Sequence, residues 1–198
     1  MGAVTAESIR QHLCDTQPGF SRWLMEHPEI EPIQATGLHP LQALPRIIVR
    51  QMLSGKASDT IIARAEAKAR EQGRNDIADL DYMDLLECGL SRTKAQTVID
   101  FARSYQQNPS AIDSWPSLND EALMNAIMAH KGIGRWSASI LAIFHYGRED
   151  IFPAGDSSLR KAMQLIGEQG VYITPAKASP YRSYLACYLW QLLDQKRI

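Results

Sequence analysis

Two glycines one residue apart constrain this chain most. They sit in Lys131-Gly132-Ile133-Gly134-Arg135, between two stretches of helical pattern. From Asp120 to Ala129, Leu123, Ala126 and Ile127 recur at i, i+3 and i+4. From Trp136 to Tyr146, Trp136, Ile140, Leu141 and Phe144 fall on one side of a second helix. Glycine removes the Cβ penalty where a backbone turns sharply or comes close to another molecule. The pattern predicts a helix-hairpin-helix over residues 120–146. Gly134 falls where the second helix begins, so the N–H groups around Ile133 to Trp136 lack an acceptor within that helix. Those donors and the positive end of the helix dipole suit an anion such as a phosphate.

A carboxylate follows at a fixed remove. Asp156 lies twenty residues past Trp136, in the turn Pro153-Ala154-Gly155-Asp156, before an amphipathic helix from Ser157 to Ile166. Its plainest role is an N-cap that accepts hydrogen bonds from first-turn amides. A second role depends on what surrounds it.

The 198 residues allow one domain or two small lobes, and 45% of them are hydrophobic, enough for a sizeable core. The formal net charge of −1 does not advertise a nucleic-acid partner. Basic side chains are nonetheless local, with Arg92, Lys94, Lys131, Arg135, Arg160 and Lys161 in or near the patterned segments. Cys14, Cys88 and Cys187 are odd in number and far apart, which gives neither a disulfide framework nor metal-ligand spacing. The five histidines show no paired-ligand spacing. No signal peptide and no bilayer-length apolar run is present, so a cytoplasmic protein is expected.

Along the rest of the chain, helices are expected over Val4 to Cys14 and Phe20 to Glu26, then an extended connection over Pro28 to Pro40. Leu41 to Leu53 has Leu41, Leu44, Ile47, Ile48 and Met52 at helical spacing, with Ser54-Gly55 as its breaker. Ala57 to Gln72 ends at Gly73, in the C′ position. Ser91 is a good N-cap for Arg92 to Gln106. Pro109 to Pro116 is expected to be a loop, and Tyr181 to Leu193 a final helix. No alternating β pattern occurs. The expected division is 1–40, N-terminal helices and an extended connection packed on the C-terminal lobe, and 41–198, the block that holds the hairpin (120–146) and the turn at 152–160.

Four ordered blocks carry a resemblance to a known family. They are Arg50-Gln51-Met52-Leu53-Ser54-Gly55-Lys56-Ala57, Cys88-Gly89-Leu90-Ser91-Arg92-Thr93-Lys94-Ala95, the hairpin with the turn at 152–160, and Pro180-Tyr181-Arg182 with Tyr188-Leu189-Trp190. In this order they resemble the helix-hairpin-helix (HhH-GPD) DNA glycosylase superfamily, and within it the alkylation-repair branch, the 3-methyladenine DNA glycosylase II type. The resemblance implies an all-α, compact, two-lobed fold, without the extra N-terminal β domain of larger relatives. It implies a monomeric enzyme on damaged double-stranded DNA. The enzyme would flip out alkylated purines, 3-methyladenine and 7-methylguanine, and hydrolyse the N-glycosidic bond to start base excision repair.

The resemblance also assigns roles. Asp156 would be the catalytic carboxylate. Trp136 stands where relatives that cut the backbone carry a lysine, which implies no lyase step. Trp136, Ile140 and Phe152 would line the base pocket; Ile140 replaces an aromatic residue of some relatives. Met52 would be the wedge that fills the gap left by the flipped nucleotide. Gln51, Ser54, Lys131, Gly132, Ile133, Gly134 and Arg135 would contact DNA. Backbone carbonyls of His130 and Ile133 would hold a monovalent cation. No other cofactor is implied, and the cysteines needed for the iron–sulfur cluster of some members are missing. Plainer readings stand beside these: Met52 and Trp136 as core residues, Ser54 as a helix-ending cap. At the level of function the alternatives are a glycosylase for hypoxanthine or uracil and a non-catalytic DNA-binding module.

Overall fold

A computed structural model describes residues 4–198, in which all regular secondary structure is helical, with no strand. Its α-helices are α1 (Ala6–Thr16), α2 (Ser21–Glu26), α3 (Pro40–Arg50), α4 (Gly55–Glu71), α5 (Tyr82–Glu87), α6 (Arg92–Gln107), α7 (Pro109–Asp113), α8 (Asp120–Met128), α9 (Arg135–Ile140), α10 (Ser157–Glu168) and α11 (Arg182–Asp194). Among the described residues, no helix is long and apolar enough to cross a membrane.

The chain divides into two compact units by its contacts. One compact unit joins the N-terminal residues up to Ala35 with Ala142–Ile198; the other is Thr36–Leu141. The chain thus leaves the first unit and returns to it, and sequence blocks are no guide to such a division.

In the discontinuous unit the core is built by α1, α2, α10 and α11. Ile9, Leu13 and Leu24 meet Leu159, Ala162 and Ile166, with Leu185, Leu189 and Leu192 filling the centre. Helix α11 is buried on most of its surface, from Ser183 to Leu189 without a break. A helix apolar on all sides belongs inside a protein. Its two tyrosines carry polar tips, which burial obliges to find partners. The Tyr184 hydroxyl donates to Glu149 Oε1 at 2.7 Å and accepts the Ile33 N–H at 3.0 Å. The Tyr188 hydroxyl accepts the Ile30 N–H at 3.3 Å. These bonds tether the extended connection after α2, which has few backbone partners of its own. Burial first, then the neighbouring Glu149 carboxylate, pushes the Tyr184 phenol well above its usual range.

In the continuous unit, α3 supplies Leu44, Ile47, Ile48 and Val49 to the core, α6 supplies Ala95, Val98 and Phe101, and α8 supplies Leu123 and Ile127. Two expectations fail here. Helix α3 stops at Arg50, not Leu53: Gln51 is extended and Met52 is left-handed, with φ of 54°. The span 109–116 is not a loop but α7 followed by a 3-10 turn at Trp115–Ser117. Pro109 at the first helical position and Asn108, which accepts the Ala111 N–H, start α7. Buried Trp115 then stacks on Phe101 at 6.1 Å. Cys88 and Cys187 are buried and Cys14 half-buried; burial pushes the Cys187 thiol up to about 12, as for an inert core side chain.

Ser183 anchors the segment that leads to Asp156. Its hydroxyl accepts the Ile151 N–H at 2.9 Å and lies 2.7 Å from the Arg148 carbonyl, which it can donate to. Ser183 is fully buried. Ser183→Ala leaves the buried Ile151 N–H without that acceptor. The expected cost is about 1–3 kcal/mol of stability, read from the shift of a urea unfolding midpoint.

Candidate nucleic-acid interface and catalytic carboxylate

The hairpin forms as the glycine spacing implies, but the two glycines do different things. Gly132 is left-handed, with φ of 85°. A Cβ placed on it would stand 2.1 Å from Thr97 Oγ1 and 2.9 Å from Thr97 Cγ2. The turn therefore lies flush against α6. Gly134 has an ordinary φ of −90°, and a Cβ there would meet nothing within 4 Å. Its bare backbone is required by neither the turn nor the packing. Gly134 is the N-cap of α9 and offers no side chain to cap it, which leaves the first-turn donors to be met from outside. The Ile133 N–H is taken within the turn by the His130 carbonyl at 3.1 Å, so the donors open to an external acceptor begin after it. Lys131, Gly134 and Arg135 are exposed, while Ile133 is buried as the hydrophobic pin of the turn.

Helix α9 inverts the usual burial pattern. Ser137, Ala138 and Ser139 are buried, whereas Trp136 and Ile140 are only half-buried. Small side chains let α8 and α3 approach closely, and the large apolar ones are turned away from that packing. Leu141–His145 then continues as a π-turn, in which Phe144 is 40% exposed. The single apolar face expected over Trp136 to Tyr146 is thus not a core face: only Leu141 of its four residues is fully buried. A tryptophan buried in the core, one of the plainer readings of Trp136, does not describe this residue.

Met52 is fully exposed. It is not a core residue, and it holds a backbone conformation that costs a non-glycine residue on the order of 1 kcal/mol. Ser54 ends no helix; it is the N-cap of α4, accepting the Ala57 N–H at 3.4 Å. Gln51 is half-buried, and its amide Nε2 donates to Ser137 Oγ at 2.8 Å and to the Gly132 carbonyl at 3.3 Å. This places the Met52 corner directly beside the hairpin, a link that helical periodicity does not reveal.

In the discontinuous unit, Asp156 is 8% exposed and is the N-cap of α10. Its Oδ1 accepts the Leu159 N–H at 2.8 Å and the Trp190 indole Nε1–H at 3.2 Å. Trp190 is half-buried on α11, and its ring lies 6.0 Å from that of Phe144. The capping role is real, but no cap needs an indole donor. In sequence Trp190 is only part of a C-terminal block; it lies on α11 between the buried Leu189 and Leu192, and no periodic signal singles it out. Phe152 is half-buried against the core of this unit.

With this geometry in view, the likenesses to known proteins are specific. Residues 46–177 match the model of the HhH-GPD superfamily base excision DNA repair protein. This chain belongs to the HhH-GPD superfamily. It is 31% identical over 166 residues to the alkylbase DNA glycosidase-like protein mag2 of Schizosaccharomyces pombe, covering 77% of this chain and 78% of that one. It is 27% identical over 164 residues to DNA-3-methyladenine glycosylase 1 of the same yeast, covering 77% and 72%. Its fold matches that of S. pombe 3-methyladenine DNA glycosylase solved in complex with abasic DNA, with a TM-score of 0.79 over 92% of this chain and 95% of that chain, at 24% identity.

The two glycines separate cleanly by substitution. Gly132→Ala combines a left-handed β-carbon with a collision at Thr97 and is expected to lower stability by roughly 2 kcal/mol or more. Gly134→Ala should unfold at the wild-type temperature. Calorimetry of the two variants checks this, and equal losses in both would contradict the division of labour.

Proposed function

We propose that this protein is a monofunctional DNA glycosylase that hydrolyses the N-glycosidic bond of alkylated purines in duplex DNA, 3-methyladenine and 7-methylguanine among them. The observation that supports it most is the buried carboxylate of Asp156, held by a main-chain and an indole donor in a chain of this superfamily. As the base departs, positive charge builds on the deoxyribose. A preorganised carboxylate beside that sugar stabilises the charge and can orient the attacking water. Low surrounding polarity strengthens the attraction. A non-catalytic DNA-binding module has no use for such a group.

Trp136 offers no amine to attack the sugar, so the product is an intact abasic site. Its indole, with Ile140 on the same helix, suits an electron-poor or cationic alkylated ring, which an aromatic face attracts. Such bases leave readily, and no second acid is needed. Hypoxanthine or uracil would need more help in leaving. Met52 serves as the apolar wedge, offsetting the stacking lost on extrusion. Gly134, Arg135 and Lys131 face the phosphate backbone, joined by Gln51 and Ser54 near the corner and by Gly132 in the turn; Ile133, buried with its N–H taken by His130, supports the turn instead of contacting phosphate. The carbonyls of His130 and Ile133 are the candidate ligands of a monovalent cation. The His130 oxygen already accepts one N–H, and a carbonyl's second lone pair leaves room for an ion. The protein would act as a monomer in the cytoplasm, on the chromosome.

Asn caps a helix as well as Asp does. Asp156→Asn should therefore fold with nearly unchanged stability while base release from methylated DNA falls by about 10²-fold or more. Chromatography of released bases checks this, with 3-methyladenine expected from the wild type and no strand cleavage without alkali. Undiminished release by the variant removes Asp156 from catalysis, and a borohydride-trapped adduct contradicts the monofunctional reading. At the corner, Met52→Gly relieves a left-handed methionine and should raise stability by up to about 1 kcal/mol while slowing excision from paired duplex. A variant both more stable and fully active would mean that Met52 is no wedge.

A further inference from the structure

Nothing in the Met52 side chain explains the conformation of its backbone. It touches no core, and a left-handed C′ position after a helix ordinarily belongs to glycine. The neighbours must impose it. Around the end of α3, the Ile48 carbonyl accepts the Gln51 N–H and the Arg50 carbonyl accepts the Leu53 N–H, each at 3.3 Å. The Val49 and Gln51 carbonyls are met instead by one distant side chain. Lys94 Nζ donates to Val49 O at 2.8 Å and to Gln51 O at 2.6 Å.

Lys94 is an odd choice for its own helix. It is the third residue of α6, where Ser91 caps its N–H. A lysine there opposes the helix dipole, and a glutamate would complete a capping box. Burial moreover pushes its ammonium below the usual lysine range, an additional cost of placing it there. What it gains lies across the interface with α3. There a cation sits on the negative end of an eleven-residue helix and meets the carbonyls of Val49 and of Gln51, the residue before Met52.

We propose that Lys94 is a positioning residue for the wedge: by gripping the Val49 and Gln51 carbonyls it holds the chain in the left-handed turn that stands Met52 clear of the protein. This rests on the reading of Met52 as the wedge. Gln51 completes the clamp from the other side, since its amide is fixed to Ser137 and Gly132 while its carbonyl is fixed to Lys94. The residue before the wedge is thus held at both ends, and α6, α3 and the hairpin are tied together through it. Lys94 touches no DNA in this scheme and acts only through the corner.

The test uses the full chain with Lys94→Met, which keeps the length and apolar stem but donates nothing, and Lys94→Arg, which can still donate to two carbonyls. Two substrates carry the same alkylated purine, one correctly paired and one in a mismatch, where extrusion costs least. Lys94→Met should slow single-turnover excision from the paired duplex by about tenfold and leave the mismatched duplex close to wild type. Lys94→Arg should restore most of the loss. In parallel, NMR of the unliganded protein reads the backbone of residue 52, whose shifts and short intraresidue H–H distance report a positive φ. That signature should persist in Lys94→Arg and vanish in Lys94→Met. Equal losses on both substrates, or an unchanged residue-52 spectrum in Lys94→Met, would overturn the proposal. Should Lys94→Met fail to fold, Lys94→Gln, which reaches only one carbonyl, takes its place under the same criteria. If the wild type releases no base at all, the glycosylase reading falls, while the residue-52 spectrum still decides whether Lys94 sets the corner.

Discussion

The close seating of the hairpin turn on α6 is the contact that the interface depends on. It is possible only because residue 132 has no side chain, and Thr97 occupies the space that one would take. One turn earlier on the same helix, Lys94 reaches the end of α3. From there Gln51 reaches back to the hairpin. The three elements close a ring of contacts whose links are mostly polar bonds to backbone atoms. Such bonds fix direction in a way that apolar packing does not, because they weaken steeply with angle as well as distance. A surface with the proposed roles, main-chain donors and one apolar tip at set positions, would gain more from direction than from additional buried area.

Asp156 meets two demands with one side chain. As the N-cap of α10 it contributes on the order of 1 kcal/mol, the usual worth of such a cap. As a buried carboxylate it would otherwise be expensive to keep, and the main-chain and indole donors lessen that expense. The cap fixes the carboxylate to the start of a helix whose far side is core, through Leu159, Ala162 and Ile166. The indole fixes it to α11, the most deeply buried helix of the unit. A group attached to two rigid elements keeps one orientation, which is what the proposed electrostatic role would require. Structural and chemical readings of this residue are therefore not rivals.

Much of this was legible in the letters, for identifiable reasons. The hairpin was announced by glycines between periodic segments. The caps at Ser91 and Asp156 were announced by short polar residues before amphipathic runs. These are local signals, and local rules read them. The end of α3 was not legible, because apolar spacing runs on through Met52 and Leu53 while the stop is imposed by Lys94, 43 residues away from Gln51 in sequence. Helix α7 was hidden by two prolines that look like loop formers, although one of them starts the helix and the other sits in the turn after it. The Trp190–Asp156 bond spans 34 residues and obeys no periodicity. The chain's return to its first unit after Leu141 is likewise a property of the whole and leaves no mark on any window of sequence.

The burial pattern of α9 and the π-turn after it adds a different kind of argument. Folding alone would favour the reverse arrangement, since fully burying a side chain the size of Phe or Leu is worth roughly 1.5–3 kcal/mol. Here Ser137, Ala138 and Ser139 are inside, while Trp136, Ile140 and Phe144 remain partly in solvent. The π-turn enforces the last of these. An α-helix would carry its buried face forward at a fixed angle, whereas the wider turn at Leu141–His145 buries Leu141, Ala142 and Ile143 in succession and brings Phe144 out beside Trp190. Exposed apolar side chains scattered over a surface need no explanation, but those kept outside on consecutive turns of one segment do. For Trp136 and Ile140, on α9, that exposure is what the proposed stacking of an extruded base would use.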